Sequence, residues 1–151
     1  MELAFKQGLQ KAVVNSLVEK LSEIKRSLDE TNDAKNQETK SSAGDKYETS
    51  REMIQFESDK LESQLNKTKL QLHELNAINT EKKIESVTQG ALVKTNLNTL
   101  FFSIPLGNFK FEEQELFLLS MASPMGQILR SKKLGDKVSF NGNTIEILGI
   151  I

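Results

Sequence analysis

The sequence predicts an α+β protein in two parts, an N-terminal antiparallel coiled-coil hairpin and a small C-terminal α+β domain. Two observations carry the prediction. Both prolines and six of the eight glycines lie beyond residue 80, which confines the strongest turn formers to the rear of the chain. Apolar residues in the front step by three and four, whereas in the rear they fall in short runs bounded by turn residues. The expected boundaries are 1–80 for the hairpin and 81–151 for the domain.

In the front half, Val14, Leu17, Leu21, Ile24 and Leu28 form one narrow seam. Ile54, Leu61, Leu65, Leu72 and Leu75 form a second, with Thr68 at one register position. Residues 29–46 between them are polar, rich in Asn, Thr, Ser and Lys. Two seams too narrow for a globular core, joined by a polar turn, predict helices packed on each other. Arms of ~30 residues would be roughly 45 Å long. Because the hairpin satisfies both seams within one chain, a monomer is expected.

In the rear half, residues 90–94, 99–104 and 115–120 read as strands, with Pro105 to Gly107 as a turn. Ser123 before Pro124 is an N-cap followed by a proline at the first helical position, opening a helix through Arg130. Gly135-Asp136 marks a turn, and residues 138–148 read as a hairpin around Asn141-Gly142. Phe101, Phe102, Phe109, Phe111 and Phe117 are expected in the core.

Composition excludes several chemistries. The chain of 151 residues has no Cys, so thiolate zinc sites, disulfides and cysteine nucleophiles are absent. Its one His, His73, is expected on a solvated helix face and leaves no partner for a multi-histidine metal cage. A net charge of -1 gives no global basic field for nucleic acid. No run approaches the ~20 apolar residues of a membrane span, and no signal peptide is visible. A cytoplasmic protein with no membrane partner is expected.

One polar cluster stands out. Gly44-Asp-Lys-Tyr-Glu48 closes the polar connector and opens the second arm. Asp45 with Glu48 three residues on is a capping-box spacing, and early acidic residues complement the helix dipole. The same two carboxylates could instead share a divalent cation, leaving its other positions to water or a partner.

Ala43-Gly-Asp-Lys-Tyr-Glu48 resembles the Gly-Asp-x-x-Glu-Asn tip motif of bacterial Gre transcript cleavage factors, with the acidic tip near 41–49. Ser123-Pro-Met-Gly-Gln-Ile-Leu-Arg-Ser-Lys-Lys-Leu-Gly-Asp-Lys-Val138 is similar to that family's C-terminal signature, and residues 145–148 resemble its last strand. The resemblance spans most of the chain. It implies an FKBP-like C-terminal domain that docks on RNA polymerase, and a coiled coil entering the secondary channel. It further implies that Asp45 and Glu48 are catalytic, helping to hold a Mg2+ ion shared with the polymerase and acting at the backtracked RNA 3′ end. Gly44, Tyr47 and Thr49 would support the tip, and Ala122, Ser123, Pro124 and Met125 would dock on polymerase. The chain would be an accessory factor rather than an enzyme in its own right, rescuing arrested complexes. Lys132-Lys133 could face polymerase or DNA, or complement a helix C-terminus.

The sequence departs from the family at three places: the aromatic usual a few residues after the tip motif is absent, with Tyr47 between the carboxylates, and two residues differ. Thr49 replaces the motif's Asn, and Ala122 stands where Asp or Asn is usual. These departures favour the alternative of a secondary-channel-binding regulator without cleavage activity. An FKBP-like fold does not by itself imply prolyl isomerase activity, and a chain with no Trp and one Tyr supplies a proline pocket poorly.

Overall fold

The computed structural model describes residues 2–38 and 44–151, the side chains of 38 and 44–47 excepted. Two long helices, α1 (Leu3–Glu38) and α2 (Gly44–Asn76), come first. Five strand and helix segments follow: β1 (Leu92–Thr95), β2 (Thr99–Phe102), β3 (Gly107–Phe111), β4 (Gln114–Leu119) and α3 (Pro124–Leu129). The chain closes with β5 (Lys137–Phe140) and β6 (Asn143–Ile150). It divides into two compact units, Asn15–Leu72 and a second made of Met1–Val14 with His73–Ile151.

The two helices run antiparallel. Late in α1, Lys35 Nζ donates to Oε1 of Gln55, early in α2. Early in α1, Gln10 Nε2 donates to the backbone oxygens of Leu75 and Ile78, at and beyond the end of α2. α1 extends about ten residues into the segment read from sequence as a polar connector. Thr31 and Ala34 are half-buried there, and the Thr31 hydroxyl donates to the Ser27 carbonyl one turn back.

Within Asn15–Leu72 the seam is narrower than its leucines suggest. Leu17, Ile24 and Leu28 are buried, whereas Leu21, Ile54, Leu61 and Leu65 are only half-covered. Ser58 and Thr68 are buried as well. Thr68 satisfies its hydroxyl within its own helix, donating to the Gln64 carbonyl at 2.8 Å.

The other unit is built on a six-stranded sheet in the order β3-β4-β2-β1-β6-β5. All neighbours are antiparallel except β2 and β4. The expected strands appear, and β3 is an addition. It pairs antiparallel with β4, Phe109 opposite Leu116. One face packs Val93, Leu100, Phe102 and Leu119 with Met121 and Leu129. On the other, Leu92, Phe101 and Leu118 are wholly buried. By strand register Phe111 shares that second face, and its ring meets Phe5 of α1 edge-on at 5.2 Å. The first turns of α1 therefore cover it. Phe117, expected in the core, is instead 40% exposed, on the first face beside the start of α3, where it lines an open groove.

Turn chemistry follows the residues. Asn141 and Gly142 both have positive φ, 49° and 79°, as a two-residue hairpin turn requires. Asp136 Oδ2 accepts from the Lys133 N–H at 2.8 Å, a turn role as expected.

Candidate functional site

The acidic run lies at the start of α2. The helix opens at Gly44, so positions 45 and 48 sit three apart in its first turns, the spacing of surface neighbours on a helix. The side chains of Gly44, Asp45 and Tyr47 lie outside the described residues, and the expectations placed on them are neither met nor corrected by geometry. Glu48 and Thr49 are exposed. Glu48, Arg51, Glu52 and Gln55 line a groove of about 310 Å3 along one face of α2. Gln55 anchors that face, accepting from Lys35 on α1 at 2.6 Å and donating to Asp59 at 2.8 Å.

Among the described residues, no three His, Cys, Asp or Glu side chains come together to hold a metal. One Asp and one Glu have the hard oxygen donors that Mg2+ takes, but they supply only part of its octahedron. His73 is exposed in the last turn of α2.

The second candidate surface surrounds the start of α3. Ser123 caps the helix, its Oγ accepting from the Gly126 N–H at 3.0 Å and donating to the Ser120 carbonyl at 2.7 Å. Both capacities of the hydroxyl are thus used locally. Its part in any docking is to fix the loop. Gln127 Nε2 donates to the Ala122 carbonyl at 3.1 Å, bracing the loop from the other side. Ala122 and Pro124 are exposed, and Met125 is half-buried.

Beside them lies an apolar groove of about 340 Å3, with Leu100, Phe117, Leu119, Met125 and Phe140 as its walls and Ser123 and Pro124 at its edge. The sequence named the loop but not the groove. Its walls come from β2, β4, β5 and α3, and nothing in their separate patterns shows that they converge. Gly126 is fixed by the same packing, since a Cβ there would stand 2.6 Å from the backbone oxygens of both Ser120 and Met121.

No family model matches the chain, and no curated protein matches it. A solved structure described as that of the transcription factor Gfh1 aligns with 91% of this chain and 92% of its own, at 16% identity and a TM-score of 0.35. A likeness of that size decides nothing about function.

Proposed function

We propose that this protein is a Gre-like transcription elongation factor that binds RNA polymerase through its secondary channel and stimulates cleavage of backtracked transcripts. The observation that carries the reading is the Gly-Asp-x-x-Glu run opening the second of two antiparallel helices, Asp45 and Glu48 three positions apart. The capped Ser123-Pro124 loop beside an apolar groove supports it as a docking surface.

In this reading Asp45 and Glu48 would hold a Mg2+ ion jointly with the polymerase, at the 3′ end of extruded RNA. The ion, when bound, supplies charge stabilisation and a water of lowered pKa. The chain's own residues position: Asp45 and Glu48 bring two negative charges and hydrogen-bond acceptors, and Thr49 offers a hydroxyl beside them. The hydrolysis belongs to the polymerase, and this protein is its accessory.

The second reading, a channel-occupying regulator without cleavage activity, is favoured by Thr49 and Ala122. The threonine hydroxyl reaches less far than the amide of the motif's Asn. Ala122 brings no side-chain acceptor to the docking loop.

The test is cleavage of 3′-labelled RNA in a backtracked elongation complex, comparing wild type with Asp45→Asn/Glu48→Gln at fixed magnesium. Stimulated cleavage by the wild type alone supports the first reading. If both proteins bind polymerase and neither stimulates cleavage, the regulator reading stands and the acidic pair serves the helix terminus.

A further inference from the structure

A second groove in the helix pair carries chemistry that the tip and the α3 surface do not use. Ala34, Met53 and Ile54 supply its apolar surface, and Glu30 on α1 and Glu57 on α2 line it with Thr31, a shallow open groove of about 400 Å3. Met53 is 68% exposed and Phe56, one turn on along α2, 73%. Met53 lines the groove and Phe56 stands beside it, so the groove offers apolar surface to a partner.

The two carboxylates say what kind. Among the described residues, neither the Glu30 nor the Glu57 carboxylate has a hydrogen bond or an ion pair. Arg26 and Lys60 lie a turn away on their own helices but do not close on them. An apolar surface beside two uncompensated carboxylates fits an aliphatic side chain flanked by cations. Phosphates are repelled there, which disfavours nucleic acid and an anionic lipid surface. A second copy is disfavoured too, because an isologous contact would set the glutamates against themselves.

We propose that the groove between α1 and α2 at Glu30, Ala34, Met53 and Glu57 docks a protein segment presenting an aliphatic side chain between basic ones. The inference stands apart from the polymerase reading, since it uses neither Asp45 nor Glu48 and its test contains no polymerase.

The probe is a designed amphipathic helix of about 15 residues with leucines on one face and flanking lysines, and its counterpart with glutamates in place of the lysines. Each is titrated into isotope-labelled full-length protein and followed by backbone amide shifts. The lysine peptide is expected to move the amides of residues 30–34 and 53–57, and the glutamate peptide to move none. Met53→Ser, and separately Glu30→Gln with Glu57→Gln, each weaken binding about tenfold. The glutamine pair also loses the salt dependence of binding, while circular dichroism confirms that the helices remain. The proposal is overturned if the lysine peptide does not bind, if both peptides bind alike, if the shifts fall elsewhere, or if the groove amides shift with protein concentration alone, which would make a second copy the occupant.

Discussion

Lys6 Nζ donates to the backbone oxygen of Ile151 at 3.0 Å, and no part of the lysine is exposed. The same oxygen accepts from the Leu92 N–H, so one side chain ties the root of α1 to the edge where β1 meets β6. Burial penalises the ammonium and lowers its pKa from 10.5 to about 8. The folded state therefore holds this proton less tightly than the unfolded chain. The cost is fully present below about pH 8 and is relieved as pH rises toward 10.5, so Lys6 makes stability increase through that window by up to about 3 kcal/mol. Urea unfolding of wild type and Lys6→Met from pH 7 to 10 checks it. The gap between the two should change by that amount, because methionine carries no titrating group.

Gly126 is the position in α3 where packing, rather than φ, demands glycine. Gly126→Ala pushes a methyl group into two backbone oxygens at 2.6 Å, atoms that cannot swing aside as a side chain would. A loss of about 2 kcal/mol in unfolding free energy is expected, within the range for overpacked sites. Ser123→Ala removes the cap of the same helix and should cost about 1 kcal/mol. The two sites share one turn, so the double variant should not be additive. Chemical denaturation of the four proteins measures both claims.

Thr68 offers a test with the opposite sign. It is 1% exposed, and its hydroxyl bonds only to the carbonyl of its own helix at Gln64, a group already engaged by the helix ladder. Thr68→Val keeps the shape and removes a buried polar atom together with its weak partner. The expected result is an unfolding free energy unchanged or slightly raised, by about 1 kcal/mol at most, read by chemical denaturation. A marked drop would mean that the hydroxyl, rather than the apolar part of the side chain, holds that layer of the seam.

What the sequence revealed and what it hid divide along the range of the interactions. Ser123-Pro124 and Asn141-Gly142 each dictate a local backbone shape, and both elements form where those residues stand. Leu17, Ile24 and Leu28 announce a helix seam because one element's period suffices to show it. β3 was invisible. Gly107–Phe111 alternates half-exposed aromatics with polar residues and gains its identity only by pairing with β4. Nothing around Lys6 in the sequence signals its burial, which depends on strands placed more than eighty residues away. The Gly44-to-Glu48 run shows in the sequence because it is contiguous, and the α3 groove does not, because it is assembled from β2, β4, β5 and α3.

If the docking and acidic surfaces have the separate jobs proposed for them, their variants should separate affinity from rate. Phe117 is 40% exposed at the mouth of the α3 groove, and Phe117→Ala removes contact area with little of the core behind it. In a backtracked complex it should raise the factor concentration needed for half-maximal cleavage about tenfold, roughly 1.4 kcal/mol, and leave the saturating rate unchanged. Asp45→Asn/Glu48→Gln should do the reverse, lowering the saturating rate at least about a hundredfold while polymerase binding persists. A titration of cleavage rate against factor concentration reads both quantities from one curve. Equal loss of rate and affinity in the Phe117 variant would place its ring in the chemistry or the fold, and would remove the groove from the docking surface.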